Sequence, residues 1–174
     1  MVGCALPGGK PDTSSRAPIY NRYVVWLIAA AAVLWVVALL VAPFLPAPAS
    51  AAIYALGSFI CHQRPDRSFE LAGFQLPVCG RCLGIYGGAA VGALVAPRLG
   101  RIRRPRAALI VSVVPALLSL LVEWSGLGHP TNGGRAVTGV IAGGVIAAVV
   151  LATLHYEQCA PPRPIVPSRP TTPT

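Results

Sequence analysis

Charged residues are scarce in this sequence. Asp, Glu, Lys and Arg make up 11% of its 174 residues, whereas soluble domains carry about 25%. Hydrophobic residues make up 55% and are concentrated in long runs, which is typical of a membrane protein rather than of a soluble domain. The runs contain few polar groups, so the composition does not favour a transporter that lines a substrate path with this chain alone.

Acidic residues are the rarest charged class. Five Asp and Glu stand against 14 Lys and Arg, which gives a formal net charge of +9. The basic residues lie at the ends of the apolar runs, a pattern of membrane orientation and not of a phosphate-binding face, so we expect a lipid bilayer and no nucleic acid as partner. Ten of them fall on one side of the predicted spans and four on the other. The positive-inside rule therefore predicts a multi-pass protein of the cell membrane with both termini in the cytoplasm.

The apolar runs predict an all-α fold, an integral membrane bundle of about four transmembrane helices. A membrane domain is expected over residues 23–155, between disordered tails at 1–22 and 156–174. The apolar stretch 49–60 is too short to span a bilayer at about 1.5 Å per residue, and we interpret it as an extra half-helix in the first outer loop. Its start resembles a signal-peptidase site, but the run before it is longer than a signal peptide requires, so we expect no cleavage. The four spans are expected at about 23–45, 79–95, 107–124 and 136–154.

Cysteine and histidine are rare overall but clustered. Three of the five cysteines and one of the three histidines lie within 22 residues, on the outer side of the predicted topology. Cys79 and Cys82 are spaced to share one face of a helix, which suits two ligands of one metal ion or a reactive dithiol. The metal hypothesis has Cys61, His62, Cys79 and Cys82 as the ligands of one ion, most plausibly zinc. Because Cys61 and His62 are adjacent, both can reach one ion only from an irregular turn, and water or His129 is the other candidate for the fourth position.

Outside the cytoplasm thiols tend to be oxidised, so two alternatives to a metal remain open: redox-active cysteines and a static structural disulfide. Cys4, His155 and Cys159 fall on the cytoplasmic side of the predicted topology. We therefore interpret these three residues as structural or incidental, apart from the outer cluster.

Glu123 is the one acidic residue within a predicted span, and carboxylates in that setting usually have a partner or a function. Arg81 and Arg135 are its candidate partners, in an ion pair that would hold the third span to the second or the fourth. A role as metal ligand, supporting group or proton acceptor is the alternative. His129 and Asn132 lie in the second outer loop and complete the supporting residues expected at this face.

Glycines recur every fourth residue along two of the predicted spans. Such stripes let helix backbones approach closely in lipid, either within one bundle or between chains in a homo-oligomer or a larger membrane complex. The glycines concerned are Gly80, Gly84, Gly88 and Gly92 in the second span, and Gly139 and Gly143 in the fourth.

Three short motifs stand out: CHQRPDRSF at 61–69, PVCGRCLGIYGG at 77–88 and NGGRAVTG at 132–139. They resemble the motifs of a family of small bacterial and archaeal multi-pass membrane proteins that is known only as a domain of unknown function. The resemblance covers about residues 53–144 and supports the topology and the cysteine site, but it implies no activity. The family pattern has an Asp-Gly pair at the end of the third span, where this chain has Glu123-Trp124, so the resemblance does not carry over a role for the acidic group.

Three classes of function fit these residues, and whether the protein is an enzyme stays open. The first is a membrane-embedded metal-binding protein, in which Glu123 would assist a metal-bound water if the ion keeps an open position. The second is a thiol–disulfide oxidoreductase, in which Cys61 relays to the pair of Cys79 and Cys82, by analogy with quinone-linked disulfide-forming membrane enzymes. The third is an accessory or transport subunit of a larger complex.

Overall fold

The computed structural model describes residues 19–99 and 102–159, and the side chains within 23–154. Most of both predicted tails, and the side chains of Cys4, His155 and Cys159, lie outside the described residues. Within the described part of the chain, helices extend at both ends beyond the limits expected for the membrane domain. The elements are α1 (Ile19–Val41), α2 (Ala47–Ile60), β1 (Ser68–Leu71), β2 (Phe74–Cys79), α3 (Gly80–Val95), α4 (Pro105–Trp124) and α5 (Asn132–Cys159), with short 3-10 turns at Ala42–Phe44, Pro65–Arg67 and Ala96–Arg98.

The predicted all-α membrane bundle is confirmed as the main architecture. Three helical segments are long and apolar enough to cross a membrane by length and composition: Tyr23–Phe44, Pro105–Trp124 and Asn132–Leu154. The second predicted span forms α3, which has 16 residues and covers about 24 Å at 1.5 Å per residue. This helix is shorter than the three segments of spanning length, and it is enclosed because it packs along α5 on one side and α1 on another.

Glycine explains how closely α3 and α5 approach. A methyl group at Gly84 would collide with the backbone of Ala136, and one at Gly88 would collide with the backbone of Val140. Gly143 of α5 meets the backbone of α3 in the same way. The two predicted stripes therefore face each other within one chain. These glycines thus have a packing partner inside the same chain, and a homo-oligomer or larger membrane complex stays a prediction.

A small antiparallel sheet, which we did not predict, connects α2 to α3. Strands β1 and β2 pair with Ser68 opposite Cys79 and with Leu71 opposite Phe74. The turn between them is formed by Ala72 and Gly73, with φ of 52° and 80°, as a two-residue hairpin turn requires. The described part of the chain is therefore mostly α-helical, with one two-stranded hairpin in the first loop between spans.

The expected half-helix is α2, and it leads into the cysteine segment. It lies against β2 at Gly57, where a Cβ atom would come within 2.5 Å of the Pro77 carbonyl oxygen. The hairpin, the end of α2, the start of α3 and the α4–α5 connection meet at one end of the bundle, which we call the hairpin end. Polar side chains collect there.

Candidate functional site

Three cysteines from three elements meet at the hairpin end. Cys61 directly follows α2, Cys79 is the last residue of β2, and Cys82 lies in the first turn of α3. Their Sγ atoms all lie within 4.8 Å of one another. Sulfurs at this separation can bind one soft metal ion together, and a small movement would allow two of them to form a disulfide.

A pair of glutamines builds the turn that brings Cys61 into this group. Gln63 adopts the left-handed conformation, with φ of 50°. Its side-chain amide donates to the carbonyl oxygens of Tyr54 at 2.7 Å and Pro77 at 2.8 Å. The side-chain amide of Gln75 in turn donates to the Gln63 carbonyl oxygen at 2.7 Å. These bonds tie the end of α2 to β2, and sequence reasoning had assigned neither glutamine a role.

Two contacts favour negative charge on the sulfurs. The backbone N–H of Cys79 donates to the Cys61 Sγ atom at 3.2 Å. The side chain of Cys82 also hydrogen-bonds to the Cys79 sulfur, which favours a thiolate at that position. Cys79 also occupies the N-cap position of α3, where the helix dipole stabilises an anion. The thiolate is the form that binds a metal ion and the form that attacks a disulfide.

Apolar side chains enclose the sulfurs. Cys61 is buried together with Leu39 of α1 and Val78 of β2, both of which are fully inaccessible to solvent. The rings of Trp35 and Tyr86 pack against the same cluster and meet edge to face, with centroids 6.2 Å apart. Ile53 and Leu83 complete this wall, and Cys79 and Cys82 themselves pack against it. The site is thus shielded from water on the side that faces the bundle.

The two outer histidines lie apart from the sulfurs. His62 is exposed although it follows Cys61 directly, and His129 is exposed in the α4–α5 connection. Among the described residues, the group of close ligand atoms contains the three cysteines and no histidine. The four predicted ligands are therefore only partly brought together, because the chain turns away from the cluster immediately after Cys61.

A second polar cluster surrounds Glu123, whose side chain is only 4% exposed. Its Oε1 atom lies 3.1 Å from Arg135 Nη2 and 2.8 Å from Arg67 Nη1. Its Oε2 atom lies 3.4 Å from Arg81 Nη2, which also donates to Ser119 at 3.1 Å. The carboxylate therefore joins α4 to α3, to α5 and to the turn before the hairpin.

Asn132 connects this cluster to the sheet. Its amide nitrogen donates to the Ser68 carbonyl oxygen at 3.0 Å, and its Oδ1 atom accepts a bond from Arg135 Nη1 at 2.9 Å. Of the residues expected to support the site, Arg81, Glu123, Asn132 and Arg135 lie together, and His129 does not belong to their network of bonds. Sequence reasoning missed Arg67, for which the only available signal was its position in the motif CHQRPDRSF.

The two clusters share a single turn of backbone. Arg81 lies between Cys79 and Cys82 in the sequence. The first turn of α3 therefore contributes a sulfur to the cysteine cluster and a guanidinium group to the Glu123 cluster. In the sheet, Ser68 pairs with Cys79 while its carbonyl oxygen accepts the bond from Asn132. A movement of this turn would therefore disturb both clusters.

Comparison with known proteins identifies the family. Residues 61–149, about half of the chain, match the model of the family described as "Predicted membrane protein (DUF2085)", and the chain belongs to that family. It is 37% identical over 106 residues to an uncharacterised protein, MJ1492, of Methanocaldococcus jannaschii, an alignment that covers 59% of this chain and 68% of the relative. It is 32% identical over 100 residues to an uncharacterised protein of Methanothermobacter thermautotrophicus, covering 56% of this chain and 89% of the relative. No solved structure matches the chain significantly.

Proposed function

We propose that this member of the DUF2085 membrane protein family binds one soft metal ion, zinc in the first instance, through Cys61, Cys79 and Cys82. The observation that carries the proposal is the separation of the three Sγ atoms, each within 4.8 Å of the other two. A Zn–S bond is about 2.3 Å long, so an ion between three sulfurs holds them about 3.8–4 Å apart. Only a small contraction of the cluster is needed to reach that spacing.

The chemistry of the surroundings supports the same assignment. Three thiolates carry three negative charges, which are costly in an apolar pocket unless a cation balances them. The backbone N–H of Cys79 already donates to the sulfur of Cys61, as a second-layer donor does for a metal thiolate. Thiolates bound to a cation are also less available to oxidants.

Zinc in proteins usually takes four ligands, and the fourth position is the open part of the proposal. A water molecule is one candidate, and it would make the site accessible to chemistry. His62 is the other, because it is adjacent to Cys61 and a change in the exposed turn would carry its ring toward the sulfurs. His129 is less favoured because it belongs to a different connection.

The test is the zinc content of the full chain, purified in detergent without chelators, together with single cysteine-to-serine variants. The wild type is expected to hold one zinc per chain. Each single variant should lose most of this zinc: Cys61→Ser, Cys79→Ser and Cys82→Ser. The triple variant should lose little more, because substitutions within one metal site are not additive. Cys159→Ser is the matched control and should keep the wild-type content. A metal-free wild type would refute the proposal.

A thiol–disulfide oxidoreductase is the second candidate, because Cys79 and Cys82 lie close together with Cys61 and the hydrogen bond between their side chains also suits a reactive pair. This function forecasts a disulfide between Cys79 and Cys82 that survives Cys61→Ser, with no metal in any variant. Counting free thiols in the same preparations separates the two functions.

We also propose that the protein lies in the cell membrane with both termini in the cytoplasm and the hairpin end outside. The arrangement is supported by the excess of Lys and Arg on the side of the termini. In a chain that crosses the membrane four times, the first loop and the α4–α5 connection lie on the same side. The contacts that join these two segments support this arrangement.

A further inference from the structure

We infer that Arg67, Arg81 and Arg135 form a binding site for an oxyanion of the phosphate class at the hairpin end. The inference goes beyond the proposed metal site and does not need a metal at the cysteines. Its starting point is the charge around Glu123. Three guanidinium groups lie within 3.4 Å of this one carboxylate, which leaves a formal charge of +2.

The charge is not balanced by the next layer of residues. Asp66 lies 3.4 Å from Arg67 Nε, but it is more than half exposed and also pairs with Arg64 at 3.1 Å. Adding both Asp66 and Arg64 to the cluster therefore leaves the formal charge at +2. Uncompensated charge of this kind is costly near a membrane, and a bound anion removes the cost.

Unused donors provide the second, independent observation. Within the described part of the chain, the buried Nε–H groups of Arg81 and Arg135 have no hydrogen-bond partner, and that of Arg67 has only the 3.4 Å ion pair with Asp66, which does not form a hydrogen bond. Arg135 is the most informative, because the whole residue is 95% buried, with 5% of its surface exposed. Buried donors in native proteins are nearly always satisfied, so these donors in one cluster point to a group that completes it.

The exposure of the arginines indicates how an anion enters. Glu123 and Arg135 form the floor, with side chains 4% and 6% exposed, whereas Arg81 and Arg67 are 18% and 33% exposed. The guanidinium groups of Arg67 and Arg81 therefore reach the surface, and the buried Glu123 and Arg135 beneath them keep them in place. Planar guanidinium groups bind phosphate oxygens with paired, charge-assisted hydrogen bonds, and a lipid headgroup phosphodiester and a free phosphate ion offer the same oxygens.

The test uses the full chain in a neutral detergent and follows the melting temperature at constant ionic strength. One titration adds inorganic phosphate in place of chloride, and a parallel titration adds short-chain phosphatidylglycerol. Binding is expected to raise the melting temperature by about 2–4 °C or more. A rise with phosphate identifies a free anion as sufficient, and a rise with the lipid alone identifies a headgroup.

Variants distinguish a binding site from a structural cluster. Arg67→Gln and Arg81→Gln should each weaken binding about tenfold or more, since each removes charge-assisted bonds. Arg64→Gln is the matched control, because Arg64 is exposed and pairs only with Asp66, and its binding should change by less than about twofold. Glu123→Gln should melt lower without anion but bind the anion more tightly, because it removes the competing carboxylate. A purely structural cluster has no reason to give these opposite signs.

The inference is overturned if neither phosphate nor phosphatidylglycerol shifts the melting temperature of the wild type. It is also overturned if Arg64→Gln weakens binding as much as Arg81→Gln, since the effect would then be a general one of surface charge. Because zinc is measured separately, a failure here leaves the cysteine proposal standing, and the reverse is equally true.

Discussion

The two ends of the α3–α5 pair are built on different chemistry. Away from the hairpin, the helices meet through small apolar residues, with Ala93, Ala96 and Leu151 buried around Ala29 of α1. At the hairpin end, the same two helices begin with polar groups, Arg81 and Cys82 on α3, and Asn132 and Arg135 on α5. The comparison indicates that close apolar packing fixes the helices, and that this rigidity sets the positions of the polar groups at their first turns.

The carboxylate of Glu123 is expected to be the most sensitive group at the polar end. Glu123→Gln leaves three guanidinium groups without their shared partner, and breaking a buried ion pair in this way costs about 3–5 kcal/mol. Denaturation in detergent should show this loss for Glu123→Gln. Glu70→Gln, at an exposed position of the same hairpin, should be nearly neutral. Equal stability of the two variants would mean that the cluster contributes nothing to the bundle.

Glycine contacts should give the next largest effect, this time along the apolar interface. Gly88→Ala places a methyl group against the backbone of Val140 and Gly144, and overpacking of this kind costs about 1–3 kcal/mol. The neighbouring Gly87 is the control, because a Cβ atom there meets nothing within 4 Å. Gly87→Ala should be tolerated or slightly stabilising, since alanine favours a helix over glycine by about 1 kcal/mol. If Gly87→Ala were less stable than Gly88→Ala, α3 would present a different face to α5.

The turn after Cys61 should give an effect on stability no larger than that of the glycine contact, together with a clear effect on the site. Gln63→Ala removes the donor shared by the carbonyl groups of Tyr54 and Pro77, at a cost of about 1–3 kcal/mol. Zinc affinity should fall about tenfold, as is typical when groups that orient a ligand are lost. Ser58→Ala on the exposed side of α2, where the hydroxyl bonds only within its own helix, should change neither quantity. Unaltered zinc affinity in Gln63→Ala would contradict the role of this turn.

Orientation can be tested without any change in stability. In a background where Cys61, Cys79 and Cys82 are replaced by serine, an impermeant maleimide should label a Glu70→Cys variant on intact cells, because this position of the hairpin is exposed and the hairpin end faces outward as proposed. Cys159 should react only after the membrane is opened. Variants that retain one cysteine at a time make the assignment unambiguous. Labelling of Cys159 and not of the Glu70→Cys variant on intact cells would reverse the orientation.

The sequence predicted best those features that depend on the spacing of residues along the chain. Cys79 and Cys82 were predicted to work together because they are three positions apart, which is less than one helical turn, and Cys61 joins them as expected. The helical bundle was likewise predictable from the length of the apolar runs. The glycine period correctly indicated tight packing but not the partner helix, because the period of one helix carries no information on what it faces.

Other features depend on backbone geometry that no local pattern specifies. The hairpin rests on two residues with positive φ, and alanine at one of them is a weak turn signal. His62 is exposed, and Gln63 directly after it adopts the left-handed backbone conformation. Arg67 reaches Glu123 across 56 residues of sequence, a contact created only when the hairpin folds over the start of α3.

Zinc X-ray absorption on the purified full chain tests the central claim most directly, because it reports which atoms surround the metal. Three cysteine ligands predict three sulfur neighbours at about 2.3 Å and one nitrogen or oxygen neighbour at about 2.0 Å. The His62→Ala variant should keep the sulfur shell, and a change confined to the light-atom neighbour would identify its imidazole as the fourth ligand. Zinc surrounded only by nitrogen and oxygen, or no bound zinc beside a disulfide, would contradict the account.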